Sequence, residues 1–197
     1  MPASLFFRMA ALLLPALCAA CFLPRPLPEA EVLQPEGGRG ALLSWSGAPA
    51  VRMAPGLLPV AVPAGAPVRR WFLPAHLAGR WQRSLHAFVR AGADGTVERA
   101  VVVVAEASRD EVFLAPGNAT VSERFALWRP GLGAVLGGAA GPPLPPELRV
   151  RAETHTLSPL RRLTLYTLVN AAAPLPLGEG PDHALRALAA ESYQVAD

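Results

Sequence analysis

The 197-residue chain contains no lysine, and all 18 of its basic side chains are arginine. That absence removes both the lysine of a phosphate-binding loop and any Schiff-base chemistry. Cysteine is scarce too. Cys18 and Cys21 are the only two, both near the N-terminus, so no disulfide framework staples the chain. A Cys-x-x-Cys spacing can serve redox chemistry or half of a zinc site, but no second pair follows it. Charged residues are 17% and aromatic residues 7% of the chain, and the net charge of +3 is spread along it. No basic run is interleaved with aromatic residues, which argues against nucleic acid as a partner. Arginine, alanine, glycine and proline in excess mark a GC-rich coding sequence before they mark selection for phosphate.

The motifs of common catalytic and cofactor sites are missing as well. His76, His86, His155 and His183 form no i,i+4 pair and no H-E-x-x-H arrangement, and no serine sits in a G-x-S-x-G elbow. The stretch from Gly131 to Gly138 begins like a dinucleotide fingerprint. Leu136 holds the place of the third glycine, however, and Pro142 to Pro146 follow where a helix is required. Glu98, Glu106, Asp110, Glu111, Glu123 and Glu153 read as solvated partners of arginines on neighbouring strands. No residue set therefore implies a metal, a cofactor or a catalytic centre.

What is present starts at the N-terminus. Arg8 precedes an apolar core of roughly a dozen residues, and small residues lead to Cys21, the anatomy of an export signal over residues 1–20. A spanning helix needs about 20 apolar residues, and Pro15 interrupts this one before Pro24, Pro26 and Pro28. Residues 21–40, with those prolines, Pro35 and Gly37-Gly38-Arg39-Gly40, read as a semi-rigid tether.

Leu17-Cys18-Ala19-Ala20-Cys21 resembles the lipobox of bacterial lipoproteins, in which small residues precede a cysteine that is acylated and becomes the mature N-terminus. The leucine of that pattern stands one place early here, with Cys18 in its position. The resemblance implies palmitate-type acylation of Cys21 and attachment to the periplasmic face of the outer membrane. A plain signal-peptidase cut after Ala20, which implies secretion, and an uncleaved N-terminal anchor are the alternatives. Asn118-Ala-Thr120 is an N-glycosylation sequon in a turn, and in a eukaryotic or viral chain Asn118 would mark a secreted glycoprotein.

Residues 41–197 read as one β-rich domain, antiparallel, a meander or a curved sheet or sandwich, with a short C-terminal helix. Between Ala41 and Pro74 frequent prolines predict edge strands and loops, with Trp45 and Trp71 as core anchors. Residues 81–90 alternate as a half-buried strand, and Gly92-Ala-Asp-Gly95 makes a hairpin turn. Thr96 to Ala105, with valines at 101 to 104, is a strand buried on both faces. Further strands are expected at Glu111–Ala115 and Val121–Trp128, joined as a meander, and at 148–154 and 161–169, paired with each other. Asp182 is placed to cap a helix with an apolar face of Leu185, Leu188 and Ala189, ending near Tyr193.

A small strand-rich chain of this plan resembles outer-membrane lipoproteins that carry lipids or lipoproteins in the cavity of a curved sheet. Its last segment, from Arg161 through Ser192-Tyr193 to Asp197, resembles the end of lipopolysaccharide-assembly lipoproteins. These likenesses imply a non-enzymatic binding or assembly role toward an apolar ligand or an envelope protein partner. A secreted hydrolase is the competing class.

Overall fold

The computed structural model describes residues 30–33, 40–45, 47–61, 81–108, 121–128, 148–172 and 180–196, with Trp81 and residues 121–128 described by backbone alone. Cys21, Asn118, Trp71, His76 and the strand expected at 111–115 lie outside these residues, as does the stretch from Gly131 to Pro146.

Strands β1 (Ala30–Leu33), β2 (Leu42–Trp45) and β3 (Ala48–Met53) form a four-stranded antiparallel sheet with β10 (Tyr193–Val195), in the order β1-β2-β3-β10. The second sheet holds β4 (Leu58–Val60), β5 (Trp81–Ala91), β6 (Val97–Ser108), β7 (Val121–Trp128), β8 (Leu148–Ser158) and β9 (Arg161–Asn170). Its order is β4-β5-β6-β9-β8-β7, again antiparallel throughout. Among the described residues one helix, α1 (Pro181–Ala190), precedes β10. The chain is mainly β, as its composition and periodicity predict.

The two sheets share one apolar cluster. Leu43, Trp45, Val51 and Met53 from the small sheet meet Phe88, Val101, Val103, Ala105, Leu163 and Leu165 from the large one. The opposite face of the large sheet carries a second cluster, including Leu85, Ala87, Val89, Val102, Val104, Val150 and Leu168. Side chains alternate between the faces of a strand, so β6, lying between β5 and β9, sends Val101 and Val103 into the first cluster and Val102 and Val104 into the second. Their exposures are 0, 0, 0 and 3%. An unbroken valine run is what a central strand covered on both sides requires, and each such side chain contributes about 1.5–3 kcal/mol by leaving water.

The hairpin from β5 to β6 closes as its turn residues predict. Asp94 Oδ1 accepts from the Thr96 amide at 3.0 Å, and Gly95 takes a φ of +78° that a residue with a Cβ resists. β8 and β9 pair as expected, from Leu148↔Asn170 to Ser158↔Arg161. The meander does not continue from β6, however. Its second neighbour is β9, and β7 lies at the far edge beside β8. Short connections favour pairing in chain order, but the valine strand gains more by lying between two long apolar-rich strands, and the late β9 supplies one of them.

The proline-rich region also departs from expectation. β4, with Pro59, is an edge strand, but β2 and β3 are interior to the small sheet. Pro49 is tolerated in β3 because the register shifts between Leu43 and Ser44, at a bulge where a ladder donor is dispensable. β1 lies inside the interval 21–40 that reads as a tether, and its Ala30 is buried against the core. A four-residue edge strand fits between Pro28 and Pro35 because only one of its sides must pair. Gly40, just before β2, approaches so closely that a Cβ there would sit 1.6 Å from the Met53 carbonyl oxygen.

Helix α1 buries Ala184, Leu185, Leu188 and Ala189, with Leu185 and Leu188 against Val169 of β9. Its N-cap is Gly180 rather than Asp182. Pro181 opens the first turn, where a missing N–H costs nothing, and Asp182 stands in that turn beside the positive end of the helix dipole. Tyr193 begins β10 instead of ending the helix.

Candidate functional site

Two regions bring polar and apolar side chains together in ways that could carry function. The first is a groove of about 350 Å³ at one edge of the sandwich, lined by Val32 of β1, Pro59 and Val60 of β4, Ala61, and Leu85, His86 and Ala87 of β5. β4 spans three residues against eleven in β5, and the ladder between them ends at Val60↔Ala87, where the groove opens. Its lining side chains are aliphatic apart from one imidazole, and polar atoms share its surface about equally with carbon. His86 Nε2 lies 2.9 Å from the Ser84 hydroxyl, both on the face of β5 that turns toward the small sheet. No carboxylate lines the groove among the described residues.

The second region is a buried polar cluster on β8, on the face that also receives the C-terminal segment. The Glu153 carboxylate accepts the Tyr193 hydroxyl at 2.5 Å and forms an ion pair with Arg151, and His155 Nε2 stands 3.4 Å away. Burial, reinforced by the Arg151 charge, pulls the His155 pKa below its ordinary 6.5, so the imidazole is neutral at neutral pH. Nearby, Arg99 of β6 donates to the Ser192 hydroxyl at 3.2 Å and to the Leu188 carbonyl at 3.4 Å, and pairs with Glu191 at 3.5 Å. Burial is the largest influence lowering the Arg99 pKa, and Arg90 adds to it against Glu191 and Glu98. The last turn of α1 has no basic residue of its own, so Arg99 brings the cation that its C-terminal carbonyls favour.

Chemically these polar contacts tie the C-terminal segment down. β10 belongs to the small sheet and Glu153 to the large one, so the Tyr193–Glu153 bond links the layers. A general base needs a carboxylate ready to accept a proton from substrate, whereas Glu153 is committed to Arg151 and Tyr193.

Of the acidic residues read from sequence as solvated cross-strand partners, the described side chains of Glu98, Glu106 and Glu153 divide into two kinds, Glu153 being buried like Glu106. Glu98 pairs with Arg90 at 2.7 Å on the surface, as expected. Glu106 is buried and bridges two neighbouring strands, with Arg83 Nε at 2.8 Å and Arg162 Nε at 2.5 Å. It lies inside because β6 is central. Its register partners, Arg83 and Arg162, flank it on the same face. Of the histidines, His86 reaches the groove, His155 the polar cluster and His183 the exposed side of α1. Among the described residues no three His, Cys, Asp or Glu side chains converge as metal ligands would, and no helix is long and apolar enough to cross a membrane.

Neither the groove nor the Tyr193–Glu153 bond is legible in the sequence. The groove arises where a short strand ends beside a long one, and the bond joins residues 40 positions apart. The alternation Arg151-Ala-Glu153-Thr-His155 does signal a polar stripe, which could have marked β8 as a strand with a buried polar face. Comparison with known protein families, with curated proteins and with solved structures finds no match to this chain.

Proposed function

We propose that the chain is an exported cell-envelope lipoprotein, acylated on Cys21 at the periplasmic face of the outer membrane, whose β-sandwich is a non-enzymatic binding or assembly module. The observation that carries the binding reading is the edge groove. It joins aliphatic side chains to one imidazole, whereas the buried carboxylates of Glu106 and Glu153 are occupied by internal arginines. Such a surface suits an apolar or amphiphilic ligand, or an apolar segment of an envelope partner. The space between the sheets is filled by packed side chains such as Phe88, Val101, Val103 and Leu165, so the binding surface is the edge and not a central cavity.

Two measurements test this. Labelling with a fatty-acid analogue, followed by intact-mass determination, should find an acyl group on Cys21, and Cys21→Ser should move the protein from membrane to soluble fractions. An unchanged distribution sinks the anchor. In the second, a fluorescent long-chain fatty acid is titrated against the protein and against Ala61→Trp, an exposed lining position whose larger side chain obstructs the groove. The substitution should weaken binding at least tenfold, and equal affinities would exclude the groove as the site.

A hydrolase is the second reading, favoured by the 2.9 Å contact between His86 Nε2 and the Ser84 hydroxyl beside the groove. A fluorophosphonate that labels Ser84 and fails on His86→Ala would support it. No labelling of the folded protein would remove it.

A further inference from the structure

The groove is flanked by apolar surface that the fold leaves in water. Leu33, 47% exposed, follows the groove residue Val32, and Leu58, 66% exposed, precedes the groove residue Pro59. The third exposed large apolar side chain among the described residues, Leu160 at 40%, lies in the turn between β8 and β9. Leu33 and Leu58 belong to different sheets, yet both stand at the edge where β1 and β4 border one groove. Leu33 points to the outer side of the small sheet and Leu58, opposite Val89, to the outer side of the large one, so exposed leucines flank this edge on both sides and mark it as a contact surface.

The position of β1 in the chain indicates what that surface meets. Eight residues, Phe22 to Glu29, separate Cys21 from Ala30, so β1 stands within about 30 Å of that cysteine even with the chain fully extended. β1 is also the first strand after Cys21 among the described residues, and it carries Val32 and Leu33. On the outer face of the small sheet Leu33 lies opposite Leu42, and Leu42 opposite the exposed Arg52, so a cation completes that row. Glu31 shares this face two residues before Leu33, which confines apolar contact to the Leu33 end of β1. An aliphatic rim with an arginine behind it matches the boundary between acyl chains and anionic headgroups.

We propose that the β1–β4 edge docks on the lipid bilayer, with Leu33 and Leu58 entering the headgroup boundary and Arg52 facing anionic phosphates. The inference rests on the anchor at Cys21 and assigns the face that the anchored domain turns to the membrane. Docking would place the groove mouth against the lipid, the position from which an acyl chain could enter it.

Residues 21–197 contain one cysteine, Cys21, which acylation occupies, so a cysteine introduced at 33, 58 or 160 takes a single environment-sensitive fluorophore. The acylated protein is reconstituted into phosphatidylethanolamine–phosphatidylglycerol vesicles containing a nitroxide-labelled lipid. Quenching at 33 and 58 should exceed quenching at 160 at least threefold. Equal quenching at all three overturns the proposal. So does a signal at 33 and 58 that appears only as protein density rises, because the surface then meets a second copy. Residues 21–197 carrying Cys21→Ser, with and without Leu33→Ser and Leu58→Ser together, are also sedimented with the same vesicles. The leucine-bearing chain should partition at least tenfold better, and equal partition overturns the proposal. Both leucines are exposed, so circular dichroism should confirm an unchanged fold. If intact mass finds no acyl group, the anchor fails, while the sedimentation comparison still decides the surface.

Discussion

Glu106 offers the sharpest test of how this sandwich is held together. Its carboxylate bridges Arg83 and Arg162 across three adjacent strands, and the three side chains are 7, 10 and 29% exposed. At such separations one ion pair is worth about 4 kcal/mol at the effective dielectric of a protein, less where water reaches Arg162. Replacing Glu106 with leucine removes the buried carboxylate that the two guanidinium groups share. Breaking a buried pair from one side costs about 3–5 kcal/mol. Taking the lower end because of Arg162, the expected loss is about 3 kcal/mol, a fall in Tm of about 6–12 °C for a chain of this size. Replacing all three together, Arg83→Met, Glu106→Leu and Arg162→Met, removes the charge imbalance with the charges, and stability should return to within about 1 kcal/mol of the parent. Thermal and urea unfolding followed by circular dichroism read both. The reasoning fails if the single and triple variants lose the same stability, or if Glu106→Leu shifts Tm by less than about 2 °C.

Three other outcomes follow from the interior. Tyr193→Phe deletes the hydroxyl that donates to Glu153 and should cost about 1.5–3 kcal/mol, with faster amide exchange in β10, since that bond crosses between the sheets. Thr167 is fully buried and its hydroxyl has no hydrogen-bond partner among the described residues, so Thr167→Val should be neutral or stabilise by up to about 2 kcal/mol in urea titration. His155 has its pKa lowered from 6.5 by burial and then by Arg151, so the unfolded chain takes up its proton first as pH falls. The stability this contributes is full above pH 6.5 and is lost as pH drops through the folded value; urea titrations of His155→Gln should show a flatter profile in that window.

Much of the β character was readable because a strand writes its period locally. The valines at 101 to 104 announce a strand covered on both faces, Asp94 and Gly95 announce the hairpin turn, and the apolar spacing of Leu185 and Leu188 announces the helix. Boundaries were less legible. Asp182 looks like a cap, yet Pro181 starts the helix one place earlier, and Pro49 argues for an edge that a bulge makes unnecessary. The groove could not be foreseen from Val32, Val60 and Leu85, which carry no mark distinguishing them from other core-forming aliphatics.

By itself, then, the amino-acid sequence determined what each segment tends to be: strands from alternation and β-branched residues, turns from glycine and aspartate, and an absence of lysine-dependent chemistry. The tertiary structure decided which strands became neighbours. Only when β9 lies beside β6 does Glu106 stand between Arg83 and Arg162, and only when β10 joins β3 does Tyr193 meet Glu153. The division has a physical cause. Periodicity and turn chemistry act over a few residues, whereas strand order follows from which long-range pairing buries the most apolar surface while leaving every interior charge with a partner.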